Sequence, residues 1–312
     1  MENIAIIGTG LIGRAWAMVF ARAGHPVRLY DQMPEAAAKA LGLIRDALME
    51  SRSFGLIDEH PDTVVARISV APSLEDAVGT ADYVQENTSE REDIKKDVFS
   101  KLDAAAPPHC ILASSTSTIQ TSRFAAHVAG RHRCLVAHPV NPPHVVPIVE
   151  ISPAPFTAQD VVDRATALHD RVGQVPILVR KEVEGFILNR LQAALLIESW
   201  RLVDEGYVSV EDLDKTIRDG LGLRWAFMGP FETIDLNAPG GVADYAQRYG
   251  PHLYRMMQGV ASRPWEGELV KRVEQERREL LDQDDHATRE AWRDRRLMAL
   301  VAHKRAMDKE HR

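Results

Sequence analysis

Only two cysteines occur in 312 residues, Cys110 and Cys134, and both stand in apolar stretches rather than at any metal-ligand spacing. A disulfide framework and a thiolate metal site are not expected, and a reducing, cytoplasmic compartment is. Basic residues are also scarce: 38 Lys+Arg against 45 Asp+Glu leave a formal charge of -7. A protein that grips nucleic acid needs a basic face to displace counterions from phosphate, so no nucleic-acid partner is expected. No apolar run approaches the roughly 18 residues of a membrane span. Met1-Glu2-Asn3 leads straight into Ile4-Ala5-Ile6-Ile7 without a basic leader or cleavage signal, so neither secretion nor membrane insertion is expected. What remains, 45% hydrophobic and 27% charged, is ordinary globular usage at a length that suits two domains.

Short apolar runs recur with helical segments between them: Ile4 to Ile7, Val27 to Tyr30, Ile68 to Val70, Tyr83 to Gln85, Ile111 to Ala113, Cys134 to Ala137 and Ile148 to Ile151. Strands alternating with helices imply a Rossmann-type, doubly wound α/β domain whose mainly parallel sheet is covered on both faces. From about Glu184 the period changes. Phe186, Ile187, Leu191, Leu195, Leu196 and Leu202 fall near helical spacing and strand-like runs disappear, so the C-terminal part is expected to be all-helical. The composition shift at Lys181-Glu182-Val183-Glu184-Gly185 divides the chain into 1–182 and 183–312. Arg289 to Arg312 reads as an amphipathic helix packed on its own domain or on a subunit neighbour, a membrane-surface role being the weaker alternative.

Gly8-Thr9-Gly10-Leu11-Ile12-Gly13 follows the first strand and opens a segment of good helix formers. A lone G-x-G-x-x-G means little, but here a strand precedes it, a helix follows, and Asp31 ends the next strand. The first glycine permits the tight turn, the second lets a pyrophosphate approach the backbone, and the third lets helix and strand pack closely. Free N–H groups at the helix start, reinforced by its dipole, then hold the anion. Asp31 is placed to accept hydrogen bonds from the adenosine ribose and to repel a 2′-phosphate. NAD is therefore favoured over NADP, although Arg28 nearby argues the other way.

His138 and Glu150 lie equidistant from His144 in Ala137-His138-Pro139-Val140-Asn141-Pro142-Pro143-His144 and its continuation to Ile151, so an antiparallel pairing sets them opposite each other. The carboxylate would fix the tautomer and orientation of the imidazole, as a general base requires. Ser114-Ser115-Thr116-Ser117-Thr118 follows a strand at the edge where such folds bind ligands, and one or two of the five hydroxyls are expected to meet ligand rather than cap a helix. Asn189 stands on an apolar helical segment, either bonding its own backbone or projecting into a cleft.

Together these motifs resemble the 3-hydroxyacyl-CoA dehydrogenase superfamily, most closely its lambda-crystallin branch, whose active members are L-gulonate 3-dehydrogenases. The resemblance is carried by GTGLIGRAW from Gly8, by Val84 to Glu90 with Lys95-Lys96, by Ser114 to Ser117, by VAHPVNPP from Val136, by GFILNRLQ from Gly185, by Trp200 to Val203 and by RWAFMGP from Arg224. It implies His138 as catalytic base, Glu150 as its partner, and Ser117 and Asn189 as groups that bind the substrate oxygen. It also implies Asp31, Glu90, Lys95 and Asn141 as cofactor residues beside the loop from Gly8 to Gly13, a homodimer, and no need of a metal. Acyl-CoA members carry aromatic residues after the histidine, whereas Pro139-Val140 follow here, so a small free 3-hydroxy acid is expected, with Arg224 as a candidate for its carboxylate.

Two other readings compete. The 6-phosphogluconate-type dehydrogenases use a lysine base in G-x-x-x-K, where this chain has Gly185-x-x-x-Asn189. A non-catalytic, crystallin-like NAD-binding protein is the other, and the filled catalytic positions argue against it.

Overall fold

The computed structural model describes residues 1–258 and 265–310. Contacts group the chain into two compact units, residues 1–190 with 292–312, and residues 191–291.

The first unit is built on strands β1 (Ile4–Ile7), β2 (Val27–Tyr30), β3 (Ile68–Val70), β4 (Tyr83–Glu86), β5 (Ile111–Ser114), β6 (Cys134–Pro139), β7 (Ile148–Pro153) and β8 (Val175–Leu178). They form one sheet in the order β3-β2-β1-β4-β5-β6-β7-β8. Every neighbouring pair is parallel except β6 and β7. Helices α1 (Leu11–Arg22), α2 (Pro34–Ser53), α3 (Pro61–Val65), α4 (Leu74–Val78), α5 (Glu92–Ala105), α6 (Thr121–Ala125) and α7 (Gln159–Arg171) cover it. β1 shows why the central strands are apolar throughout: Ile4 and Ile6 enter one core with Trp16 and Phe20, while Ala5 and Ile7 enter the other with Phe99 and Phe124.

The seven strands read from the sequence are all present, four of them longer by one or two residues at their carboxyl ends. β8 was not foreseen, because a half-exposed edge strand containing Pro176 offers no apolar run.

α8 (Leu188–Asp204) starts in the first unit and continues into the second. The second unit then holds α9 (Val210–Lys215), a π-helical turn (Thr216–Leu221), α10 (Gly222–Trp225), α11 (Pro230–Leu236), α12 (Gly241–Met257) and α13 (Gly267–Leu280). Glu276 accepts the Val210 N–H at 2.9 Å, Arg277 pairs with Asp214 at 3.1 Å, and Trp200 stacks on Trp265.

By contacts, residues 183–190 group with the first unit. The first continues to Arg190, because the N–H groups that open α8 bond back to β7, and it regains residues 292–312. The basic C-terminal segment is helical, as α14 (His286–Glu310); the last two residues of Arg289–Arg312 lie outside the described residues. From residue 292 on, α14 packs on the first unit, with Met298 buried against Leu56 and Val145 and Arg305 donating to the Leu56 carbonyl at 3.0 Å. Met298→Ala is expected to cost about 2–3 kcal/mol in urea unfolding, the size of a buried Met-to-Ala truncation; an unchanged midpoint would mean the helix is not anchored there. Among the described residues no helix is long and apolar enough to cross a membrane.

Candidate active site

The carboxyl ends of β1, β2 and β4 enclose a cleft of about 500 Å3 lined by Gly8, Gly10, Asp31, Asn87 and Thr88 among others. Gly8 has φ +88, and a Cβ there would sit 2.8 Å from the Asn87 carbonyl oxygen; a Cβ on Gly13 would lie 1.9 Å from the Gly8 oxygen. Neither position tolerates a side chain. Gly10 faces open space instead, so its bareness keeps the cleft clear. No side chain caps the start of α1 at Gly10. The N–H groups of Leu11, Ile12 and Gly13 therefore offer an uncontested anion site, which is what the pyrophosphate of NAD requires. Asp31 is held by Thr9, whose N–H and hydroxyl donate to one carboxylate oxygen at 2.8 and 2.9 Å, and by Met33 N–H at 3.0 Å. Arg28 is turned to Asp76, 3.3 Å away, which removes the argument for a 2′-phosphate.

The five hydroxyls after β5 are no longer equivalent. Ser114 donates to Glu86 at 2.5 Å, Ser115 to Asn87 at 2.7 Å, and Thr116 and Thr118 to Glu90 at 2.6 and 3.2 Å. Ser117 is exposed and its hydroxyl has no partner among the described residues, so it is the one left for a ligand. Glu90 also takes the N–H groups of Ser117 and Thr118 and so shapes the turn. Burial works to raise its carboxyl, yet the hydrogen bond from Thr116, the charge of Lys95 and the turn N–H groups bring it below the ordinary value. Lys95 does not line the cleft: it is buried on Glu86 at 3.0 Å, with Glu90 3.8 Å away, and supports the turn from beneath. Glu86, fully buried, was not singled out as a site residue, since nothing in its spacing shows that it faces Lys95 and Ser114.

His138 and Glu150 face each other across the antiparallel pair, Nδ1 to Oε2 at 2.7 Å, both buried. An ionised carboxylate accepts only, so Nδ1 donates to Glu150 and, in the neutral ring, the lone pair lies on Nε2. The other Glu150 oxygen takes the N–H groups of Ile187 at 2.8 Å and Leu188 at 3.0 Å. Burial acts to raise the Glu150 carboxyl, but the bonds from His138, Leu188 and Ile187 outweigh it and hold it below the usual range. Those N–H groups point inward because Gly185 and Phe186 both adopt positive φ, +74 and +49. Phe186 and Ile187, read from the sequence as helical, belong to this turn ahead of α8. Left-handed backbone at a phenylalanine is strained, and its ring lies 5.4 Å from that of His138.

Asn189, on the first turn of α8, donates to the Ser117 carbonyl at 2.8 Å, which joins the helix to the serine turn. Asn141 is exposed just beyond β6. Arg224 lies exposed on α10 of the second unit.

Comparison with known proteins supports the same reading. The model of the 3-hydroxyacyl-CoA dehydrogenase NAD binding domain matches residues 3–183, and that of the family's C-terminal domain matches residues 185–275. The lambda-crystallin homolog of Bos taurus is 43% identical over 304 residues, 96% of this chain and 94% of that protein. L-carnitine dehydrogenase of Streptomyces griseus is 38% identical over 254 residues, 81% of this chain and 75% of the other. Among solved structures, an NAD+-dependent 5-formyl-3-hydroxy-2-methylpyridine 4-carboxylic acid 5-dehydrogenase superposes with TM-score 0.78 at 28% identity, covering 99% of both chains. With a dinucleotide cradle, a buried His–Glu pair and relatives along nearly its whole length, the chain belongs to the lambda-crystallin branch of the 3-hydroxyacyl-CoA dehydrogenase family and is an NAD-dependent oxidoreductase acting on CH–OH groups.

Proposed function

We propose that the protein oxidises the 3-hydroxyl of a small, free L-3-hydroxy acid of the L-gulonate type to a 3-keto group, with His138 as the base. The observation that carries this is the buried 2.7 Å contact of His138 Nδ1 with Glu150, which orients the ring and, in its neutral form, makes Nε2 the nitrogen that accepts a proton. NAD, when bound in the cleft of Gly8, Gly10, Gly13 and Asp31, supplies the hydride acceptor. Nε2 of His138 takes the hydroxyl proton during oxidation and returns it in the reverse direction, while Glu150 holds the ring and balances the imidazolium. The Ser117 hydroxyl and the second N–H of the Asn189 amide hydrogen-bond the substrate oxygen, each such donor contributing a few kcal/mol as charge develops. Glu90 and Lys95 keep the turn beneath Ser117 in place, and Asn141 borders the nicotinamide end. Arg224 remains the proposed partner of the substrate carboxylate.

Pro139-Val140 after the base and the lambda-crystallin relatives favour a free acid over a thioester. The test is NADH formation with L-gulonate, L-carnitine, L-3-hydroxybutyrate and 3-hydroxybutyryl-CoA side by side. A free acid is expected to lead in kcat/KM by at least tenfold; preference for the thioester would overturn the substrate class. Turnover of none with NAD binding intact would favour a non-catalytic, crystallin-like role.

Asp31→Ala should raise KM for NAD by about 10- to 100-fold, the loss of one or two hydrogen bonds to a charged group. KM for the hydroxy acid should move little, and equal effects on both would remove Asp31 from the ribose. A homodimer is part of the proposal, supported by the large apolar side chains Phe227, Phe231, Leu236 and Tyr254 that the second unit exposes. A cytoplasmic location is supported by two free, buried cysteines, whose thiols burial pushes up to about 12.

A further inference from the structure

We infer that Gln85 is a positioning residue, which fixes the spacing between the serine turn and the strand carrying His138 through a buried chain of hydrogen bonds. The inference rests on the dehydrogenase reading above.

Gln85 lies on β4 and is fully buried. Its amide nitrogen donates to the Ser115 hydroxyl at 2.7 Å and to the Ala137 carbonyl at 3.1 Å, and its amide oxygen accepts from the Tyr83 hydroxyl at 2.7 Å. β4 and β6 are not neighbours in the sheet; β5 runs between them. Gln85 pairs with Ala113 on β5, and the bare methyl at that position leaves room for the longer side chain to reach β6. It thus joins strands that the backbone ladder connects only indirectly.

The chain has one direction. A carbonyl only accepts, so the Gln85 nitrogen faces Ala137 and its oxygen faces Tyr83. The Tyr83 hydroxyl therefore donates to Gln85 and accepts from His169 Nε2, 2.9 Å away, which places that ring's proton on Nε2. At the other end the Ser115 oxygen accepts from Gln85 and from the indole N–H of Trp16 at 3.0 Å, so its own proton goes to Asn87 Oδ1. The Asn87 amide nitrogen then donates to the carbonyls of Gln85 at 2.8 Å and Ile7 at 3.3 Å.

The contacts end at three functional places. Ile7 precedes Gly8, whose missing side chain makes room for the Asn87 carbonyl; Ser115 lies two residues before Ser117; Ala137 precedes His138. A fully matched chain of this kind cannot relax by rotating one group, so losing Gln85 displaces cofactor loop, serine turn and base relative to one another. Hydride transfer is sensitive to such displacement, an ångström costing on the order of 100-fold.

The test compares Gln85→Met with Tyr83→Phe, reading kcat, NADH affinity, melting temperature and the primary isotope effect with substrate deuterated at the reacting carbon. Gln85→Met is expected to lower kcat by about 10- to 100-fold and raise the isotope effect, with NADH affinity within about threefold. Tyr83→Phe breaks the chain upstream but spares both Gln85 donors, so it should lower the melting temperature and leave kcat and isotope effect as in wild type. Ser115→Ala should follow Gln85→Met, with Ser115→Thr restoring activity, and this pair decides the matter if Gln85→Met yields no soluble protein. An unmoved isotope effect in Gln85→Met or Ser115→Ala, or Tyr83→Phe matching Gln85→Met in kinetics, would overturn the positioning role alone. A wild-type chain with no turnover on any 3-hydroxy acid would overturn the dehydrogenase reading and this role with it.

Discussion

His138→Ala is expected to lower kcat by about 100- to 10,000-fold, the range for loss of a positioned general base, while NADH affinity stays within about threefold. The split follows from geometry. His138 touches Glu150 and packs against Phe186, whereas the dinucleotide cleft is lined by Gly8, Gly10, Asp31 and Asn87, none of which bonds His138. Removing the imidazole therefore removes the proton acceptor without removing a cleft wall. Glu150→Gln should act in the same direction, because both oxygens of Glu150 only accept: from His138 on one side, from Ile187 and Leu188 on the other. A glutamine must turn its NH2 toward one of these donors, losing either the ring's orientation or the tie to α8. Steady-state rates and NADH fluorescence titration check both variants, and an alanine variant with wild-type turnover would sink the assignment of the base.

How far the site could be read from the sequence depended on what fixes each residue. His138 opposite Glu150 was legible, because an antiparallel pair has a register that simple counting recovers, and the register is the observed one. The glycine loop was legible for a similar reason, its backbone demands being written in residue type. Ser117 became distinct among five hydroxyls only once Glu86, Asn87 and Glu90 had claimed the others, and those acceptors come from a strand and loop nearly thirty residues earlier. Lys95 advertises a charge that suits an anionic cofactor, but burial on Glu86 directs it inward, and burial is not a property of spacing. The carboxyl ends of β4, β5 and β6 carry Glu86, Ser114 and His138, where the apolar pattern fails just as the strands enter the site or its supports; on antiparallel β7 the residue at that edge is Glu150. The return of α14 to the first unit depends on where Met298 finds Leu56 and Val145, contacts spanning most of the chain.

Acid should unfold this protein from well above the carboxylate range, because two histidines are neutral in the fold and ionise when released. His169 is fully buried, and desolvation lowers it from 6.5 to about 3. Its Nδ1 has no hydrogen-bond partner among the described residues, so protonation would create a charge and an orphan donor together. His144 is lowered to about 4, first by burial and then by Arg22, whose guanidinium donates to the His144 carbonyl at 2.8 Å; Asp294 opposes the shift. Both native values lie below the unfolded value. Between pH 6.5 and 4 the unfolded chain therefore binds protons that the folded chain refuses, and stability falls as pH falls, by about 1.4 kcal/mol per pH unit for each histidine. Across that window each contributes a loss on the order of 3 kcal/mol. Glu150 and Glu90, held low, add a loss in the same direction at more acid pH, as their stabilising bonds disappear on protonation. Urea unfolding at pH 7, 6, 5 and 4 measures the slope. His169→Gln keeps an N–H for Tyr83 but cannot ionise, so its slope should be shallower than wild type by about one proton. A variant as acid-sensitive as wild type would mean that His169 is not the buried neutral group. Because this loss is global, activity in acid should fall with the folded fraction, and His169→Gln should hold both to lower pH than wild type.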